Sequence, residues 1–270
     1  MSVYLDSQAW NVLLVTGVLC GLIAWSILRA RRGCEIRVRP FTALAAVEQA
    51  VARATEAGRP VFFVPGVRDL DNMQTVAALS VLAPVAAQVA RCGGRLFVPT
   101  SRSMVMETAR DICRDAYVAA GRADLWDDDQ VTYISDDQLG FVARVDGLID
   151  REKPGLCLFM GFFASESLLL AEGGHHVGAV QIAGTASPVQ LPFFVAACDH
   201  TLIGEEFFAA GASLERDPAM LGSLRGQDLG KAAAIASVVA GVVIVTLAEL
   251  TGSGALIWLR DAFMNIFRTG

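Results

Sequence analysis

Between Trp10 and Leu28 the chain reads WNVLLVTGVLCGLIAWSIL, 19 residues without a charge. At about 1.5 Å per residue, a helix of that length nearly matches a hydrocarbon core of roughly 30 Å, so the run is read as a membrane span. A cleavable signal peptide is the competing reading, but it needs a basic start and a small-residue cleavage site. Here the front carries Asp6, and the far end carries Arg29, Arg31 and Arg32. An uncleaved anchor fits better. Those arginines, with Arg37 and Arg39 beyond them, place the exit on the cytoplasmic side by the positive-inside rule.

A second uncharged run, AAAIASVVAGVVIVTLA, follows Lys231 and ends at Ala248. Arg225 and Lys231 precede it and Glu249 follows it, so the same rule makes it an inside-to-outside span. Both termini are expected outside, with the residues between the runs in the cytoplasm. Ala236, Ala240 and Gly241 are small enough to let helices approach closely. After the turn TGSG comes ALIWLRDAFMNIFR, whose polar residues Arg260, Asp261, Asn265 and Arg268 gather on one side of a helix. Such a helix lies in the outer interface or packs against a neighbouring subunit.

Composition agrees with a mixed chain. With 54% hydrophobic residues, the chain is too apolar for an average soluble domain, and 19% charged residues are too many for a bundle of membrane helices. A net charge of −6 provides no basic field to recruit nucleic acid. The six cysteines Cys20, Cys34, Cys92, Cys113, Cys157 and Cys198 are scattered with no CxxC pair, which reads as buried thiols in a reducing compartment.

Residues 35–228 contain six short apolar runs of strand length: VFFV (61–64), RLFV (95–98), VTYI (131–134), LCLFM (156–160), AVQI (179–182) and TLI (201–203). Most do not alternate, which suits strands covered on both faces. Helical patterns lie between them. At 103–120 the residues Glu107, Arg110, Asp111, Arg114 and Asp115 mark one polar face, whereas 72–91 is apolar nearly all round. That second helix is either deeply buried or covered by another subunit. Alternation this regular predicts one α/β domain, doubly wound and mostly parallel, Rossmann-like and three-layered, in addition to two transmembrane helices. The expected organisation is an outside segment and span in 1–34, the domain in 35–228, the second span in 229–250 and the amphipathic helix in 251–270.

Ser135 with Gln138, and Ser187 with Gln190, both fit a capping box, and Pro188 fits a first helical position. The apolar stretch Val189–Cys198 is only half a bilayer long and sits between two strands, so it reads as a core helix and not a span. Pro192 would kink or restart it.

No GxGxxG follows a strand, and there is no GxxxxGK[ST], GxSxG or HExxH. His175-His176 follows a Gly-Gly pair and reads as a solvated loop. Cys198-Asp199-His200 has the residue types of a nucleophile, an orienter and a base, but three neighbours in a row do not easily converge. It reads as a buried thiol followed by a turn. The expected carboxyl ends of strands carry Asp69, Asp71, Ser101, Asp136, Asp137, Ser165, Glu166, Thr185, Ser187, Glu205 and Glu206. Ligands bind along that edge in open α/β sheets, although acids and hydroxyls also cap helices there. If the edge binds anything, its carboxylates favour a divalent cation such as Mg²⁺, a cation-bridged phosphate or a neutral polar ligand over a bare anion.

The segments RPVFFVPG (59–66), QIAGTA (181–186), QLPFFVAACD (190–199), LIGEE (202–206) and LGSLRGQD (221–228) resemble the recurrent phrases of a family of uncharacterised prokaryotic membrane-anchored proteins. The resemblance covers most of the central domain and the second apolar run. It implies an architecture at the bacterial inner membrane and carries no activity and no functional residues. Two functional expectations follow. One is a non-enzymatic, homo-oligomeric scaffold or assembly unit in the lipid bilayer, alone or with other subunits of a membrane complex. The other is a small-molecule sensor or Mg²⁺-dependent enzyme using the acidic strand ends.

Overall fold

The structure, a computed structural model, describes residues 10–32, 42–164, 166–215 and 218–267. Asp6, Cys34, Arg37, Arg39, Ser165 and Arg268 lie outside the described residues. Two compact units emerge, Arg39–Glu215 and the combination of Met1–Val38 with Arg216–Gly270.

In the unit Arg39–Glu215 the strands are β1 (Val61–Val64), β2 (Leu96–Thr100), β3 (Val131–Tyr133), β4 (Leu156–Met160), β5 (Val180–Thr185) and β6 (His200–Ile203). All six apolar runs singled out in the sequence are strands. They form one sheet in the order β3-β2-β1-β4-β5-β6, with every pairing parallel. The near-continuous apolar runs are explained by the register. Val61 and Phe63 face one core while Phe62 and Val64 face the other, and each of the four is fully buried.

Helices α2 (Thr42–Glu56), α3 (Met73–Cys92), α4 (Ser103–Ala119) and α8 (Glu205–Glu215) contribute to the first core. The second core takes residues from α5 (Gln138–Glu152), α6 (Glu166–His176) and α7 (Leu191–Ala197). The sheet is thus sandwiched between two helical layers. α3 is apolar nearly all round because it buries Ala78, Val81, Leu82, Val85 and Val89 within its own chain. That answers the choice left open for this helix, since Leu79 and Val81 are core and only the start of α3 exposes large apolar groups, Met73 and Val76.

α7 does lie between β5 and β6, but among its side chains only Phe194 is buried, and Val195 is 53% exposed. It is a surface helix anchored by one aromatic ring. Pro192 sits in its first turn, where the missing N–H costs nothing, and Pro188 belongs to the preceding turn instead.

In the other unit, α1 (Trp10–Arg31), α9 (Pro218–Thr251) and α10 (Gly254–Phe267) are helices. Residues 218–228, expected to close the α/β domain, form one continuous helix with the apolar run that follows. Glycines on α9 are packing notches. A Cβ on Gly222 would stand 2.8 Å from Ile27 Cα, one on Gly226 2.8 Å from Ile23 Cα, and one on Gly230 3.5 Å from Leu19. As the α9 number rises the α1 number falls, so the two helices are antiparallel. α10 turns back onto α9, with the Phe263 ring over Gly241 and Arg260 paired to Glu249 at 2.8 Å.

Among the described residues, two helices are long and apolar enough to cross a membrane. In Met73–Cys92, 56% of the apolar window is buried, against 11% in Arg225–Thr251.

Candidate functional site

The strand order reverses between β1 and β4, and in open parallel sheets the crevice above such a reversal is where ligands settle. The turns that leave β1 and β4 meet there. Gly66 has φ +81°, and a Cβ on it would lie 2.6 Å from Phe162 O; Gly161 has φ +125°, and its Cβ would lie 2.7 Å from Pro65 O. Val67 N donates to Phe162 O at 3.0 Å, and Gly161 N donates to Gly184 O at 2.8 Å. Backbone therefore fills the space next to the strand ends, and only glycine permits so close an approach. The Arg68 guanidinium stacks 4.9 Å over the Phe162 ring above it.

Most polar groups around this crevice are satisfied by one another. Gln74 Oε1 accepts from Ala186 N at 2.8 Å and from Thr185 Oγ1 at 3.2 Å, tying the start of α3 to the end of β5. Thr185 Oγ1 also accepts from Ser187 N at 3.2 Å. Buried Ser167 donates to buried Gln190 Oε1. Gln138 Nε2 donates to Glu166 Oε2. Gln74, Ser167 and the tertiary roles of the other two glutamines were not anticipated from sequence.

Both expected capping boxes are replaced. α5 is capped by Asp137, whose Oδ2 accepts from Gly140 N at 2.7 Å, while Ser135 Oγ accepts from Asp137 N at 3.1 Å. α7 begins after Gln190 with no side-chain cap. The glutamines that were to close the boxes bond to Glu166 and Ser167 instead.

The remaining acids scatter. Asp136 meets Arg102 at 3.5 Å in an exposed pair, which contributes little. Asp69 Oδ1 accepts from Leu70 N at 2.8 Å and shapes the turn before α3, whose cap is Asn72. Asp71 is exposed, and Glu205 and Glu206 are exposed in the first turn of α8, where they favour the helix dipole. Among the described residues, no three His, Cys, Asp or Glu side chains gather as a metal site.

Two predicted residues stand apart. Glu166 is 1% exposed with Oε1 unpartnered, and Ser101 is 5% exposed with Oγ unpartnered. An unmet buried hydrogen-bonding group costs about 1–3 kcal/mol, so each is an expense that the fold retains at this edge.

The Cys198-Asp199-His200 triplet is not a catalytic triad. Burial, and then the neighbouring Asp199, push the Cys198 thiol from its ordinary 9.0 up to about 12. Asp199 Oδ2 accepts from Gln181 N at 2.8 Å, and His200 is an exposed residue opening β6. Burial alone raises Cys113 to about 12, and it raises Cys157 strongly as well. These thiols stay protonated and unreactive near neutral pH. Cys20 and Cys92 depart from the expectation of buried thiols, since both are exposed. His175 and His176 fall in the last turn of α6 and not in a loop, because Gly173 and Gly174 are helical and pack against Asp146 and Gln181.

Two grooves lie on the helical layers. One of about 770 Å³ runs between α5 and α6 past Asp146, Asp150, Glu172 and His176. Another, of about 750 Å³, is bounded by Ala83, Ala87, Arg91, Ile112 and Asp115.

No curated protein matches the chain, and no solved structure matches it. A family model does match, over residues 1–256, and the chain belongs to that family, described as a domain of unknown function (DUF6754).

Proposed function

We propose that this protein is a membrane-anchored, self-associating assembly unit whose α/β domain works in the bacterial cytoplasm without catalysing a reaction. The observation that carries the reading is the contrast between 11% burial of the α9 window and 56% burial of the α3 window. α3 is apolar because its own chain surrounds it. α9 displays Ile235, Val238, Val239 and Val242 outward, each more than half exposed, and a lipid bilayer is the solvent that such a surface suits.

Local details support the same placement. Trp25 carries the Arg29 guanidinium 5.3 Å over its ring at the basic end of α1, a combination suited to the membrane interface. The antiparallel pairing of α1 with α9 brings the exit of one and the entry of the other to the same side, as a single domain held between them requires. Satisfied polar groups and a backbone-filled crevice at the strand ends favour assembly over ligand chemistry.

The two apolar runs are not level. Twenty residues of α9, 232–251, would span about 30 Å, but in the observed register Lys231 stands beside the middle of the α1 run. Centring α1 instead draws Arg225, Asp228 and Lys231 into hydrocarbon at roughly 2.5–3.5 kcal/mol each. Centring α9 leaves Val18, Leu19, Trp25 and Leu28 of α1 outside, and since each is already about half buried by its own chain, the cost is roughly 1 kcal/mol each. Neither placement is free of cost for a single copy. Association that covers α1 removes the second cost, which supports self-association. Extraction into mild detergent followed by native mass measurement tests the reading. An oligomer recovered from membranes is expected, and a monomer recovered from the soluble fraction would overturn it.

Unpartnered Glu166 Oε1 and Ser101 Oγ favour a second reading, a sensor for an amine- or hydroxyl-bearing small molecule admitted when the Pro65–Arg68 turn lifts. Thermal-shift screening of such ligands on wild type and Glu166→Gln tests it. A shift abolished by the substitution would establish a site, and no shift from any ligand would leave assembly as the reading.

A further inference from the structure

α1, α9 and α10 do not close on one another evenly. A Cβ on Gly222 or Gly226 of α9 would stand 2.8 Å from the α1 backbone, whereas one on Gly230 would reach only the Leu19 side chain, at 3.5 Å. The two helices therefore part as α9 runs on. Beyond Gly230, α9 lines the gap with Ala233, Ala234 and Ser237, and side chains that small do not refill it. Phe263 of α10, seated over Gly241, bounds the gap on its far side. The result is an open groove of about 510 Å³, walled on α1 by Val15, Val18 and Leu22. That volume falls within the roughly 300–1,000 Å³ of small-molecule sites.

We propose that this groove holds one acyl chain of a phospholipid of the cytoplasmic leaflet, with the lipid phosphate beside Lys231. The inference rests on the membrane-anchored reading and adds a ligand to it. The lining identifies the chain. Among the lining residues only Ser237 has a polar side chain, and its hydroxyl is already engaged by Ala233 O at 2.9 Å. A polar ligand would give up water and find no partner in exchange. Hydrocarbon gives up nothing there.

Charge identifies the head. Lys231 precedes Ala234 and Val238 by three and seven residues, so it stands on the groove side of α9, one turn from the groove's end. Asp228 lies 3.8 Å from Lys231, and Arg225 precedes Asp228 by one turn. Two cations and one anion leave this end positive, which complements a phosphate. With α9 centred, Lys231 sits at the boundary of the hydrocarbon, and its long side chain reaches toward the phosphates. Val239, 57% exposed on the opposite side of α9, meets bulk lipid and gives the reference.

Full-length protein in phosphatidylethanolamine vesicles, doped with phosphatidylglycerol that carries a mid-chain diazirine, provides the test. After photolysis, labelling at Ala234 and Leu22 should exceed that at Val239 severalfold. Ala234→Phe, which fills the groove, should remove the excess and leave Val239 labelled. Ser237→Leu fills the same space with less bulk and should act alike, so that a folding defect of one variant does not decide the result. Lys231→Gln should cut groove labelling about fivefold, the worth of one lysine at a charged membrane surface. A diacylglycerol with the same diazirine chain, lacking the phosphate, should label the wild-type groove to that lower level. Equal labelling of Ala234 and Val239 would mean bulk lipid only, overturning the groove and leaving membrane anchoring standing. No labelling at either would overturn both. Groove labelling unchanged by Lys231→Gln would overturn the phosphate contact.

Discussion

α3 and α9 pass the same test of length and hydropathy, yet they solve opposite problems. α3 is capped at both ends, by Asn72 and by left-handed Gly93, and carries Pro84 inside. Its apolar sides are consumed by the sheet and by α2, α4 and α8. α9 is flanked by charge, is notched by glycine on one side and is left open on the others. Hydrophobicity alone does not tell the two apart. Flanks, caps and the distribution of small residues do.

The largest expected effect separates the two helices directly. Val81→Asp would place an unpaired charge at a fully buried position, at about 3–5 kcal/mol or more. That is comparable to the whole stability of a domain, so circular dichroism should show loss of cooperative melting. Val239→Asp, at a position 57% exposed on α9, should leave the domain melt unchanged and weaken membrane retention by about 2.5–3.5 kcal/mol. Equal unfolding by both would erase the distinction.

Glycines sharpen the comparison. Gly66→Ala meets both a positive φ and the Phe162 backbone, so a loss of about 1–3 kcal/mol is expected in the domain melt. Gly226→Ala puts a Cβ 2.8 Å from Ile23 Cα, a backbone clash that pushes α1 and α9 apart at a cost of about 1–3 kcal/mol borne by that helix pair. The melting temperature of the α/β domain should move for the first and not for the second.

A smaller effect concerns pH. Burial raises Cys113 from its ordinary 9.0 to about 12, so the folded chain keeps a proton that the unfolded chain releases. Its contribution is complete below pH 9 and declines as pH rises toward 12. By pH 10 the loss from this thiol is about 1.4 kcal/mol, part of a fall in melting temperature that Cys157 and Cys198 share, so Cys113→Ala should make that fall shallower without abolishing it. Gln74→Ala, which unties α3 from Thr185 and Ala186, should cost a similar or smaller amount, about 1 kcal/mol.

The strands were legible because burial on both faces forces continuous apolar runs. The sheet edge was far less so. In β2 the strand continues beyond the apolar run RLFV through Pro99 to Thr100; β1 pairs with β2 only through Phe97, so no donor is missed on that side. The Ser-x-x-Gln patterns suggested local boxes, but Gln138 and Gln190 bond to partners 28 and 23 residues away. Nothing within a four-residue window reveals a tertiary partner. Gly66 and Gly161 each follow a strand closely, and that position was the available sign of a tight backbone approach. At the strand ends Asp137 caps a helix, Asp69 shapes a turn and Asp136 pairs with Arg102 at the surface, whereas Glu166 is buried against Gln138.

The central claim is that α1 and α9 hold the domain to a membrane. Alkaline carbonate extraction of membranes containing the full chain tests it most directly, because it strips peripheral proteins and leaves spanning helices in place. The account predicts that the protein remains in the membrane pellet. Release of the chain into the supernatant would contradict it.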